Sequence, residues 1–117
     1  MWEIEVTAEF EGWFKGLEEE EQSDVRAAVE LLAERGPSLG RPKVDTLTGT
    51  TVPNLKELRA RSLRVLFAFD PRRVGILLFG GDKRNNWTNW YRTAIPEAER
   101  LWRQHLDELE QEGGRDA

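Results

Sequence analysis

The stretch "NLKELRARSLRVLFAFDPRR", residues 54–73, places five arginines (Arg59, Arg61, Arg64, Arg72 and Arg73) among residues that otherwise alternate like a buried sheet. A guanidinium is a planar fork of donors that stays charged at any physiological pH, which suits it to phosphate. If two strands turn at Arg61-Ser62, Ala60 pairs with Leu63 and Arg59 lies directly opposite Arg64 on one face. Like charges opposed in this way work against folding by about 0.2–1 kcal/mol, so an anion is needed beside them. Two anions fit. One is a carboxylate of the chain itself, with Glu57 two residues along the same face, and the other is a phosphate. Lys83 and Arg84 follow the next apolar run and are expected at the same corner. Crowding by other cations would lower the Lys83 pKa toward a proton-shuttling role, against the opposing pull of Asp82.

Composition narrows the chemistry further. The 117 residues include no cysteine and one histidine, His105, which excludes disulfides and thiol nucleophiles and leaves no cluster for a soft-metal site. No cofactor and no metal are expected. The net charge of −5 conceals an uneven distribution: −8 over residues 1–40, +6 over 41–84 and −3 over 85–117. An acidic protein with a basic middle can still dock on a phosphate chain. No apolar run reaches the ~20 residues that span a bilayer, and the N-terminus has no signal-peptide pattern. A cytoplasmic protein without a membrane partner is expected.

The elements that must position these residues follow from periodicity. Trp2, Ile4 and Val6 alternate with polar residues as a strand. Thr7 is placed to cap a helix whose apolar face is Phe10, Trp13, Phe14 and Leu17. A second helix carries Val25, Ala28, Val29 and Leu32 and stops at Gly36-Pro37, completing a helical hairpin. Residues 36–54, with three prolines and three glycines, read as a long surface loop.

Strands are expected over Leu55–Ala60, Leu63–Phe69 and Val74–Gly80, the last two joined by a turn centred on Pro71-Arg72. That turn pairs Phe69 with Val74, Phe67 with Ile76 and Val65 with Leu78, and sets Val74, Ile76 and Leu78 against the helical hairpin. Leu55, Leu66, Ala68, Leu77 and Phe79 are left to dock a C-terminal helix capped by Asn85 or Asn86, with Pro96 opening a second helical segment. Trp90, Ala94, Ala98, Leu101 and Leu109 form the buried stripe of that helix, Trp102 packs in the core, and His105 lies on its exposed or flanking side as a bystander. The result is an α+β domain over residues 1–112, in the order βααβββα, with helices on a small mostly antiparallel sheet and a disordered tail at 113–117.

The segments "LKELR", "LRVLFAFDPRR", "LFGGDKRNNW" and "WYRTAIPEAERLW" together resemble the RelE/ParE superfamily of bacterial toxins, most closely its HigB-like, phage-derived Gp49-like branch. The resemblance runs from about Trp2 to Leu109. It implies a ribosome-dependent endoribonuclease that cuts messenger RNA and is held inactive by a helix-turn-helix antitoxin of the HigA kind. Carried over by motif, the catalytic candidates are Arg59, Arg64, Lys83 and Arg84, with Tyr91 the nearest tyrosine after the basic pair, its spacing off by about one residue. Arg61, Lys43 and Arg41 are candidate contacts to RNA or ribosome, and Trp87 is a candidate for stacking on a base. Two other readings stay open: the same superfamily contains ParE-like inhibitors of DNA gyrase that cut no RNA, and a module protein can lose activity and retain only antitoxin binding.

Overall fold

A computed structural model describes residues 1–82, 84 and 87–115. Its elements are β1 (Ile4–Val6), α1 (Ala8–Lys15), α2 (Glu19–Arg35), a 3-10 turn (Gly36–Ser38), β2 (Val44–Thr46), β3 (Lys56–Ala60), β4 (Leu63–Phe69), β5 (Gly75–Asp82) and α3 (Trp87–Arg115). Five strands make one sheet in the order β1-β5-β4-β3-β2, with β1 parallel to β5 and the other pairs antiparallel. The domain is α+β, as the alternation and helical spacing predict. No helix among the described residues is long and apolar enough to cross a membrane.

Each side of the sheet buries its own core. Phe10, Val25, Ala28 and Leu32 of the helical hairpin pack on Leu58, Val65, Phe67 and Leu77. On the opposite side, Ala94, Ala98, Leu101 and Trp102 of α3 pack on Leu55, Leu66, Ala68, Val74, Ile76 and Leu78. Thr7 caps α1 by accepting the Phe10 N–H at 3.0 Å, and its hydroxyl donates to the Leu78 carbonyl at 2.7 Å, so one side chain both starts the helix and ties it to β5.

Four expectations are corrected. The loop over 36–54 contains β2, a three-residue edge strand whose register with β3 pairs Val44 with Leu58 and Asp45 with Glu57. The β4–β5 connection holds three residues, not two: Asp70 N–H donates to Val74 C=O and Arg73 N–H to Asp70 C=O, with Arg73 at φ 68°. A type I turn followed by one left-handed residue makes a longer loop and moves the register by one. Phe69 therefore pairs with Gly75 and Phe67 with Leu77, and Val74, Ile76 and Leu78 face α3 while Leu77 faces the hairpin. A bulge at Leu78 then shifts the pairing again, to Leu66 with Phe79 and Val65 with Gly80.

The third correction is at Pro96, which lies inside a single α3 and does not open a second segment. The fourth is His105. It is half-buried and bonded to Asp70, so it is no bystander. α3 continues through Gly113 and Gly114 to Arg115, and the last two positions of the expected tail lie outside the described residues.

Candidate active site

The β3–β4 register brings Arg59 opposite Arg64, as the two-residue turn at Arg61-Ser62 predicts. Arg61 takes up the turn with φ 58°. Alternation then puts Glu57, Arg59 and Arg64 on the α3 side of the sheet, where the core stripe gives way to polar groups. Glu57 and Arg64 are buried, at 3 % and 7 % exposure. Charges so placed must be compensated locally.

Glu57 supplies the compensation. Its Oε1 lies 3.1 Å from Arg64 Nε and 3.3 Å from Arg59 Nε, and its Oε2 accepts the Tyr91 hydroxyl at 2.7 Å. Arg64 also donates from Nη1 to the carbonyls of Arg61 and Leu63, folding back beneath the hairpin. Its Nε–H is buried and off the line to Glu57, so the contact is one of charge without a directed hydrogen bond. Arg59 remains one-third exposed and reaches out to Asp45 Oδ2 at 3.3 Å and toward the Pro42 carbonyl at 3.5 Å. Arg41 closes the outer ring with two bonds to Asp45, at 3.1 and 3.2 Å.

These groups open on a groove of 420 Å³ lined by Asp45, Thr46, Thr48, Glu57, Arg59 and Tyr91, among others. Three guanidiniums against two carboxylates leave the cluster one positive charge, concentrated on the exposed arginines. Burial, reinforced by the bond to Glu57, pushes the Tyr91 phenol up to about 12. Hydrogen bonding and charge from Arg41 hold Asp45 below the ordinary carboxylate range against partial desolvation. Tyr91 is therefore protonated at neutral pH and donates to Glu57 Oε2.

Of the residues named from sequence, Arg59, Arg64 and Tyr91 converge here and Arg41 borders them. Arg61 and Arg84 turn toward α2: Arg61 Nε is 3.0 Å from Asp24, and Arg84 pairs with Asp82 and, at 3.7 Å, with Glu21. They face Glu18, Glu20, Glu21 and Asp24 across a separate cavity of 330 Å³. Lys43 is exposed, and its carbonyl accepts the Arg59 N–H at 2.8 Å. Lys83 lies outside the described residues, and Trp87 is described in its backbone alone. Asp45 was missed because it belongs to the unrecognised β2. Glu57 was visible in sequence only as the alternative partner for the arginines.

A second buried carboxylate organises the far end of the same face. Asp70 accepts the N–H groups of Arg72 and Val74 at 2.8 and 3.1 Å, pairs with the Arg72 guanidinium at 2.8 Å, and meets His105 Nε2 at 2.9 Å. Arg72 reaches on to Glu5 at 2.9 Å.

Residues 12–103 match the model of the family described as "Phage derived protein Gp49-like (DUF891)". The chain is 50 % identical over 91 residues to the candidate toxin HigB3 of Mycobacterium tuberculosis, covering 76 % of this chain and 80 % of that protein. It is 45 % identical over 103 residues to the candidate toxin HigB2 of the same organism, covering 84 % of this chain and 51 %, about half, of that protein's length. Among solved structures it resembles the archaeal RelE-RelB complex from Pyrococcus horikoshii OT3, with a TM-score of 0.59 at 16 % identity, over 72 % of this chain and 97 % of that one, a likeness of fold.

Proposed function

We propose, since this chain belongs to the phage-derived Gp49-like family, that this HigB/RelE-type toxin acts as an endoribonuclease on ribosome-bound messenger RNA in the cytoplasm and is silenced by a helix-turn-helix antitoxin. One observation carries the catalytic reading: a buried carboxylate, braced from behind by the enclosed Arg64, holds one partly exposed arginine and a phenol in the wall of an open groove.

RNA cleavage by side chains uses the ribose 2′-OH against the adjacent phosphate. The 2′-oxygen forms a bond to phosphorus, the bond from phosphorus to the 5′-oxygen breaks, and a 2′,3′-cyclic phosphate and a 5′-OH result. A phenol titrating at about 12 is a poor base alone at pH 7. Bonded to Glu57, however, it can accept the 2′-OH proton while passing its own to Oε2, so the carboxylate is the net base. Arg59, the one-third exposed guanidinium, balances the charge that develops on the phosphorane oxygens. Arg64 is too enclosed to reach a phosphate and acts by fixing Glu57. The departing 5′-oxygen takes its proton from water in the groove.

The test is expression without antitoxin, with primer extension on translated messages. Discrete cuts are expected for the native chain. Tyr91→Phe is expected to slow cutting by roughly 10²–10⁴ and Arg59→Ala by roughly 10²–10³, with antitoxin binding retained in both. Intact messages together with inhibited gyrase would sink the nuclease reading, and harmless overexpression would leave only a partner-binding protein.

A further inference from the structure

Tyr91, Ile95 and Glu99 follow one another at four-residue intervals on α3 and so share one face of the helix. The first two line the groove. The third fastens the loop that forms the opposite wall. Glu99 Oε2 accepts the Thr51 N–H at 2.6 Å, the Thr51 hydroxyl at 2.9 Å and the Thr50 hydroxyl at 3.1 Å. Three donors on one carboxylate oxygen make a short, charge-assisted latch between two segments 48 residues apart in sequence.

The latched loop is closed on itself by the Leu47 N–H to the Leu55 carbonyl at 2.8 Å, the Leu55 N–H to the Val52 carbonyl at 3.3 Å and the Val52 N–H to the Thr50 hydroxyl at 3.1 Å, and the Glu99 bonds tie it to α3. It contains left-handed residues at Gly49 (φ 72°) and Asn54 (φ 56°), and it is held to the core by Val52 with help from Leu47. Thr46, which ends β2, and Leu47 and Thr48, which begin this loop, lie beside Glu57, Arg59 and Tyr91. A shift of α3 along its axis relative to this wall would move Tyr91 off Glu57. Trp90 seated closely on Gly81 and the His105–Asp70 bond also resist such sliding, and a carboxylate with three convergent donors adds a directional stop beside the groove.

We propose that Glu99 is a positioning residue of the groove, whose latch to Thr50 and Thr51 sets the register of α3 against the sheet and so holds the Tyr91 hydroxyl on Glu57. The effect on RNA cutting rests on the nuclease reading above; the effect on Tyr91 does not. No other residue type can mimic the signal, because Tyr91 is the single tyrosine of the chain and its ionisation is read directly from tyrosinate absorbance.

The experiment compares the full chain with Glu99→Gln and with the double variant Thr50→Val, Thr51→Val, each checked for retained helix content. In the native chain burial and the bond to Glu57 push the Tyr91 phenol up to about 12. Both variants are expected to move that midpoint down toward the ordinary tyrosine value of about 10 and to speed amide exchange at Thr51 and Val52. In the ribosome-programmed cleavage assay kcat is expected to fall roughly ten- to a hundredfold, with KM little changed, because the loss is one of alignment. An unmoved Tyr91 midpoint in folded Glu99→Gln overturns the latch, whether or not the native chain cuts RNA. An unmoved kcat in an active protein overturns it equally. A moved midpoint in a protein that cuts no RNA supports the latch and removes the nuclease reading alone.

Discussion

Replacing Glu57 by methionine is the most demanding test of the electrostatics at the groove. The carboxylate is 4 % exposed and stands between the 8 % exposed Arg64 and the Arg59 that opposes it across the β3–β4 ladder. Its removal strands a buried guanidinium beside a second cation, a change that costs about 3–5 kcal/mol. Native domains have only about 5–15 kcal/mol in total. For a chain of this length each kcal/mol moves the melting temperature by roughly 3–5 °C, so Glu57→Met is expected to melt roughly 10–20 °C lower. Arg64→Met is different. It leaves Glu57 bonded to Arg59 and Tyr91, with its charge still answered, and is expected to cost only about 1–3 kcal/mol. The double variant removes both buried charges at similar volume, leaving Arg59 to Asp45 and solvent, and is expected to be more stable than Glu57→Met alone. Calorimetry or denaturant melts of the four proteins complete a double-mutant cycle. If the double variant loses the sum of the two single losses to within about 0.5 kcal/mol, the two side chains are uncoupled and the account of this site is wrong.

Two further outcomes follow from the same structure. Burial pushes Asp70 up, but the bonds from His105, Arg72 and the Val74 N–H outweigh it and hold its pKa below the ordinary value. Its contribution is therefore complete above the unfolded pKa of about 3.9 and is lost as pH falls through the folded value, so Asp70→Asn is expected to melt lower at pH 7 and to flatten the decline in stability below about pH 5, read by thermal melts from pH 7 to 2. An added Cβ at Gly80 would lie 2.2 Å from the Trp13 ring and at Gly81 2.0 Å from Trp90 Nε1, so Gly80→Ala and Gly81→Ala are each expected to cost about 1–3 kcal/mol in urea melts. Because Trp90 packs edge-on against Tyr91, at 4.9 Å between ring centroids, Gly81→Ala alone is expected also to shift the Tyr91 titration.

How far the sequence exposed these features depends on the range over which each is determined. The pairing of Arg59 with Arg64 was legible because a two-residue turn between alternating strands leaves one register. The β4–β5 register was not, since it turns on Arg73 entering the left-handed region, a conformation that residue type announces for glycine or asparagine and not for arginine. β2 escaped notice because three residues of edge strand inside a proline- and glycine-rich segment carry no measurable period. With it went Asp45, and hence the reason Arg41 belongs beside Arg59.

The arginines suggested a phosphate site, yet the buried acids reveal more of the architecture. Glu57 and Asp70 both lie on the α3 side of the sheet; each gathers an arginine from its own hairpin and a polar side chain from α3, Tyr91 for one and His105 for the other. Those two α3 residues stand fourteen positions apart, about 21 Å along the axis, and between them Ala94, Ala98 and Leu101 seat the helix on the sheet. Small apolar residues let the helix approach closely, and Trp90 seated on Gly81 limits, without fully setting, its axial position. Directional bonds at the two ends, with the Glu99 latch between them, can determine it. The cluster at Glu57 thus has two consequences from one set of contacts: it helps fix where the N-terminal turns of α3 lie, and it presents a partly exposed guanidinium and a carboxylate-bonded phenol to the same groove. Stability and the proposed chemistry should accordingly fail together at Glu57 and separately at Asp70, whose loss loosens the far end of the helix without touching the groove.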